Sequence, residues 1–409
     1  MRAYERFLEY VKMNTMSCEE SDTVPSSACQ FNLAHALVKE LKALGIEAEC
    51  DEKCYVYAHI DATAGLEGLP AVGLIAHLDT IPDFSGENVH PKVVPDYDGG
   101  AVELGFGRVL SPEDFPHLRE LAGRTLITAS GDTVLGADDK AGVAEIITFA
   151  EKLIKEKIPH GKVCIGFTPD EEIGRGADCF DVKRFGADFA YTVDGGPEGE
   201  VDYENFNAAS AEFSVTGFNI HPGSAKDKMI NAALVACEIN SMLPTGETPR
   251  DTEGYEGFFH LCSMKGDCSA ATLDYIVRDH SAGNFDARLA TLRHIEKLIN
   301  EKYGAGTVSL TVREQYRNMR EKIEQCMYVV DIACDATRFE GIDPLIVPVR
   351  GGTDGARLSF MGLPCPNLGT GGYACHGPFE HITAEGMDKV VDILVSIVGM
   401  VTDGKSGRV

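Results

Sequence analysis

Uninterrupted apolar runs and helix-spaced apolar positions alternate through the first two hundred residues. Residues 31–44 (FNLAHALVKELKAL) repeat apolar side chains at helical spacing and meet Gly45, which predicts a helix that stops there. The runs at 71–76, 163–167 and 190–193 are apolar throughout and end abruptly in polar residues, the pattern of strands buried on both faces. Between the first two lies GVAEIITFAEKLIKEK, an amphipathic helix opening just after Asp138 and Asp139. That β-α-β order implies a right-handed crossover and a parallel sheet.

From about residue 208 to 317 the pattern changes. ASAEFSVTG reads as a strand, NAALVACEINSML as a helix, GFFHLCSMKGD and ATLDYIVRDH as two strands, FDARLATLRHIEKLINEKYG as a helix and TVSLTVREQ as a strand. This β-α-β-β-α-β order is ferredoxin-like. The α/β pattern then resumes with a helix around VVDIACDATRF, the Gly-rich stretch VRGGTDGARLSFMG, a loop containing His376 and a closing helix GMDKVVDILVSIVGMV. The expected fold class is α/β: a mixed, mostly parallel sheet flanked by helices, built from residues 1–207 and 318–409. An α+β domain, residues 208–317, is inserted into it.

Composition narrows the function classes. With 37 basic and 64 acidic residues the net charge is −27, which opposes binding to nucleic acid or to anionic membranes. No apolar run reaches the ~20 residues that span a bilayer, and the opening MRAYERFLEYVKMNTMS lacks a signal peptide's apolar core. Thirteen scattered cysteines, an odd number, fit reduced thiols in a cytoplasmic protein. Cys50 and Cys54 are the one close pair, and no second pair completes a zinc-knuckle spacing.

Four places put His, Asp or Glu just beyond an apolar strand, where open α/β sheets hold their ligands: His77-Leu78-Asp79, Asp138-Asp139, Asp170-Glu171-Glu172 and Asp194. His376 supplies a fifth. Singly, each has an ordinary structural reading as a strand-end turn or a solvated charge. Together, imidazoles and carboxylates at successive strand ends suit a pair of divalent ions, with zinc the usual choice for mixed nitrogen and oxygen donors. Residues two apart in an extended chain point the same way, so Asp79 is expected to reach the His77 imidazole as a supporting carboxylate rather than a ligand. Glu171 and Glu172 diverge as neighbours, so one binds metal while the other faces the reacting water as general base.

The motifs GADDKAG (136–142), TPDEEIG (168–174), TVDGG (192–196), ENFNAAS (204–210), HPGSAK (221–226), NMREK (318–322), RGGTDGARLSFMGLPCPNL (350–368) and TGGYACHG (370–377) resemble those of the peptidase T family throughout the chain. That family is similar to a larger clan of dinuclear zinc aminopeptidases, carboxypeptidases and deacylases with a catalytic α/β domain and a dimerising lid. The resemblance implies a homodimer carrying two Zn2+ per subunit; by donor chemistry Mn2+ or Co2+ could replace zinc at such a site. One zinc would be held by His77 and Asp194 and the other by Glu172 and His376. Asp138 would bridge them, with a cis peptide bond to Asp139. It further implies Glu171 as general base, Asp79 as the partner of His77, and His221 as the group stabilising the oxyanion. For His221 a plain turn role before Pro222 is the competing reading. Arg278 and Arg350 are candidates for the substrate's C-terminal carboxylate, each with an ion pair to Asp279 or Asp354 as the alternative. The implied activity is release of the N-terminal residue from tripeptides by a metal-bridging hydroxide. A carboxypeptidase or small-amide deacylase would use the same ligands. Ala374 and Cys375 stand where bulkier residues are expected before His376.

Overall fold

The three apolar runs form the centre of a seven-stranded sheet in the computed structural model, which describes residues 1–404. Its strands are β1 (Glu47–Cys50), β2 (Val56–Ile60), β3 (Val72–His77), β4 (Val163–Thr168), β5 (Phe189–Val193) and β6 (Val201–Asp202), with Asn367–Leu368 as the seventh. The spatial order is β1-β2-β4-β3-β5, then Asn367–Leu368, then β6. Pairing is parallel among β4, β3, β5 and Asn367–Leu368, and antiparallel towards both edges. Every residue of β3, β4 and β5 is buried, which is why these runs show no polar alternation. The mixed, mostly parallel sheet is the one the sequence predicts.

Helices α1 (Ala3–Tyr10) and α2 (Gln30–Ala43) precede the sheet, and α3 (Ala137–Glu156) is the crossover between β3 and β4. Helix α3 packs on β3, with α1 and the helix Ala384–Thr402 against it, while α2 packs on β1 and β2. Asp138 and Asp139 have non-helical backbone angles, so the regular helix opens after the acidic pair. The peptide bond between them is cis. In the first regular turn a Cβ on Gly142 would stand 1.9 Å from the Val193 carbonyl oxygen. Any side chain there would push α3 off the strand that leads into Asp194.

Two features escaped the sequence reading. Lys92–Val94, Leu126–Thr128, Gly372–Tyr373 and His381–Thr383 form a small antiparallel sheet, and Val102–Gly105 pairs with Arg108–Leu110. The small sheet matters because His381–Thr383 pairs with Leu126–Thr128, drawing the His376 loop towards the chain that enters α3.

The chain divides into two compact units. The first comprises Met1–Tyr203, Glu321–Val347 and the residues from Thr353 onward; the second comprises Glu204–Arg320 and Pro348–Gly352. The short segment Pro348–Gly352 thus packs with the second unit, although it lies within the 318–409 span. The second unit contains β7 (Asn207–Thr216), α4 (Ala232–Ser241), β8 (Phe258–Gly266), β9 (Ala270–Asp279), α5 (Ala282–Tyr303) and β10 (Val308–Tyr316). Its antiparallel order β8-β9-β7-β10 is ferredoxin-like. Phe213, Leu273, Val277, Phe285 and Leu292 are among its core residues. Among the described residues no helix is long and apolar enough to cross a membrane. All thirteen cysteines are free thiols.

Candidate metal centre

The parallel strands β3, β4 and β5 lie side by side, and the chain at or just beyond their C-terminal ends carries His77, Glu171-Glu172 and Asp194. His77 closes β3 and is only 2% exposed. Its Nδ1 lies 3.1 Å from the Asp79 carbonyl oxygen and 3.3 Å from Asp79 Oδ1. Two acceptors there place the proton on Nδ1 and leave Nε2 with its lone pair. That lone pair faces Asp138 Oδ1 at 2.9 Å and Asp194 Oδ1 at 3.7 Å.

Asp138 turns its two carboxylate oxygens to different imidazoles. Oδ1 meets His77, and Oδ2 lies 2.9 Å from His376 Nε2, which is itself 3.1 Å from Glu172 Oε2. One carboxylate therefore stands between two groups of nitrogen and oxygen donors. The donor atoms of His77, Asp138 and Glu172 lie within 4.8 Å of one another, as do those of His77, Glu171 and Asp194.

The turn bearing the two glutamates is held from both sides. Asp170 precedes it in a left-handed conformation (φ 60°). The Asp170 carboxylate accepts hydrogen bonds from the Ser26 backbone N–H (2.7 Å), the Ser26 hydroxyl (2.5 Å) and the Gln30 amide (2.7 Å). From the other side Asp79 accepts the backbone N–H of Glu171 at 2.9 Å and of Glu172 at 3.2 Å. The side chains diverge as expected: Glu172 joins Asp138 and His376, whereas Glu171 groups with His77 and Asp194.

Electrostatics favour a bound cation. Burial and the Asp194 charge push Glu171 well above the usual carboxylate range, burial and Asp138 raise Glu172 to about 7, and burial raises Asp194 to about 7 despite His77. Burial also works against ionising Asp138, but the two imidazoles beside it, His376 and His77, bring it below the ordinary value. Hydrogen bonds to Asp138 and Glu172 raise His376 to about 11. Carboxylates outnumber imidazoles here, and divalent ions would supply the missing positive charge. Imidazole nitrogens and carboxylate oxygens gathered at about 3 Å from one another, together with this excess of negative charge, fit metal ions that would replace the protons between them.

Several polar residues support this centre in ways that the sequence did not assign to them. Asp139 accepts the His77 backbone N–H at 3.0 Å. Asp354 is buried and accepts the Thr168 hydroxyl at 2.7 Å. Glu380 is buried and accepts three backbone N–H groups from residues 135–138. Asp354 lies within the quoted RGGTDG motif, but Glu380 has no comparable local signal.

His221, Arg278 and Arg350 belong to the second unit. The Nδ1 of His221 accepts the Gly223 N–H at 3.1 Å, a local turn contact. Arg278 Nη1 donates to the carbonyls of Ala209 and Val277, and its guanidinium lies over Tyr316. Arg350 donates to Thr252, Gly254 and Glu256 and lies over Phe206 and Phe258. Neither arginine forms the ion pair weighed from the sequence: Asp279 pairs with Arg288, and Asp354 bonds Thr168.

The family model for a peptidase dimerisation domain matches residues 203–307, and that for M42 glutamyl aminopeptidase matches residues 122–233. Over 398 residues the chain is 54% identical to a Clostridium acetobutylicum protein named Peptidase T, covering 96% of this chain and 97% of that protein. The chain belongs to the peptidase T family. Solved structures carry the same fold at lower identity. A tripeptidase from Staphylococcus aureus superposes with a TM-score of 0.78 at 21% identity, covering 98% of each chain. A dinuclear metal-binding peptidase of the M20 family from Bacillus subtilis does so with 0.65 at 15%, again over 98% of each. Membership of the peptidase T family, expected from the motifs, therefore rests on nearly the whole chain rather than on the site alone.

Proposed function

We propose that this chain is a metal-dependent aminopeptidase that releases the N-terminal residue from tripeptides. The observation that carries the proposal is the Asp138 carboxylate, with Oδ1 facing His77 and Oδ2 facing His376. Peptidase T relatives and a structurally similar tripeptidase support the substrate class. In this reading His77 and Asp194 hold one ion, Glu172 and His376 the other, and Asp138 stands between. The ions, zinc by donor chemistry with manganese or cobalt as substitutes, would supply Lewis acidity that acidifies water and polarises the peptide carbonyl.

The remaining chemistry belongs to side chains. Glu171 takes the proton from the attacking water and returns it to the departing amine. Asp79 keeps the His77 proton on Nδ1, so that Nε2 is the donor atom, and fixes the backbone from which Glu171 projects. His221 is assigned to the oxyanion. Arg278 is the better candidate for the substrate's C-terminal carboxylate, because Arg350 commits both terminal nitrogens to the 252–256 loop. The dimerisation-domain match supports a homodimer, and thirteen free thiols suit the cytoplasm.

Product analysis with Leu-Gly-Gly, its N-acetylated form, and matched di- and tetrapeptides tests this reading. Release of leucine from the free tripeptide, with little cleavage of the blocked one, is expected. Cleavage of the blocked peptide alone would make the chain a deacylase, and release of C-terminal glycine would make it a carboxypeptidase.

A further inference from the structure

We propose that Glu380 is a positioning residue for the metal pair, holding the turn before α3 in the shape that presents Asp138 to both imidazoles; this inference rests on the metal-centre reading above. Three backbone donors converge on its carboxylate. Oε2 accepts the N–H groups of Leu135 (2.6 Å) and Gly136 (2.8 Å), and Oε1 accepts that of Asp138 (2.9 Å). The residue is 1% exposed, so water cannot substitute for those bonds.

A carboxyl group of this length reaches all three donors, because it offers acceptor oxygens on both sides. Glutamine would serve Leu135 and Gly136 through its one oxygen, but its NH2 would meet the Asp138 N–H donor to donor. The backbone of Glu380 is anchored as well. Its carbonyl accepts the Ala129 N–H at 3.4 Å, and the next residue, His381, begins the strand paired with Leu126–Thr128. His376 and Glu380 share one loop, whose backbone turns through left-handed conformations at Ala374 (φ 52°) and His376 (φ 67°). That loop thus places the His376 imidazole against Asp138 Oδ2 at one end and fixes the Asp138 backbone at the other. The bonds of the Glu380 carboxylate go to backbone N–H groups, so its proposed action on the metal pair runs through Asp138.

The test is zinc titration of the metal-free wild-type and E380Q proteins against a competing chelator, with kcat and KM for Leu-Gly-Gly measured alongside. E380Q preserves size and shape, so a packing role alone would leave metal affinity unchanged. The expected result is a roughly 10–100-fold weaker second zinc and a matching fall in kcat at limiting metal, with KM within about threefold of wild type. Should E380Q fail to fold, E380D carries the test, with a smaller loss of zinc affinity expected because charge is kept and reach is lost. Two zinc ions bound with wild-type affinity by the folded variant would overturn the inference, whatever its melting temperature. A wild-type protein that takes up no zinc, manganese or cobalt would instead overturn the metal-centre reading itself, and this inference with it.

Discussion

The buried carboxylate of Asp79 accepts the backbone N–H of Glu171 at 2.9 Å while its Oδ1 stands 3.3 Å from His77 Nδ1. A single side chain therefore orients a proposed ligand and the proposed base. Asp79→Asn retains its volume but turns one acceptor into a donor facing either an N–H group or the protonated Nδ1. A loss of roughly 10–100-fold in kcat/KM is expected, mostly in kcat, measured by steady-state kinetics at saturating zinc. An unchanged kcat would remove Asp79 from the mechanism.

Glu171→Gln separates base from ligand. Turnover should fall by roughly 10²–10⁴-fold, the range for loss of a general base, while metal content by elemental analysis stays near that of wild type. Because Glu171 groups with His77 and Asp194, loss of one metal equivalent would reassign it as a ligand.

Arg350 is expected to act in the second unit's packing. Its guanidinium donates to Thr252, Gly254 and Glu256 and covers two phenylalanine rings. Arg350→Ala should cost about 1–3 kcal/mol in urea denaturation, the range for losing hydrogen bonds to a charged group. Arg278→Ala should instead raise the KM for tripeptides by about tenfold or more with modest loss of stability. The reverse pattern would exchange the two roles.

An acid-sensitive element lies in the small sheet. Burial lowers His381 to about 4, and its ring lies against His117 Nε2 at 2.9 Å, the Phe379 carbonyl at 2.7 Å and the rings of Phe115 and Tyr373. The folded state holds this imidazole neutral, so its contribution is complete above the ordinary histidine pKa of about 6.5 and is lost as pH falls towards 4. The shift corresponds to on the order of 3 kcal/mol. His381→Asn should therefore lose less stability than wild type between pH 7 and pH 4.5, read from urea midpoints. Equal losses would show that the imidazole is already protonated in the fold.

The parts legible in the sequence share one property: their signal is local. The strands ending near His77, Glu171 and Asp194 are buried on both faces and read as unbroken apolar runs. The ferredoxin-like insertion showed in its element order. Glu380 was invisible because its partners are backbone N–H groups more than two hundred residues away, and such bonds leave no mark on residue type. The Asp170 clasp is similar, since Ser26 and Gln30 lie about 140 residues away and outside every motif singled out in the sequence. The small sheet was missed because Lys92–Val94, Leu126–Thr128 and His381–Thr383 are each three residues long, too short to show a period of two. The arginine contacts required side-chain geometry that spacing does not encode.

The spread of the centre along the chain bears on how it is made. Translation delivers His77 early and His376 only after the whole inserted unit has left the ribosome. Until then a nascent polypeptide has Asp138 with one imidazole to face rather than two, and the turn before α3 lacks the carboxylate that fastens it. Hydrolytic competence would thus be withheld from unfinished chains, and premature termination before residue 376 should yield inert fragments rather than stray proteolysis.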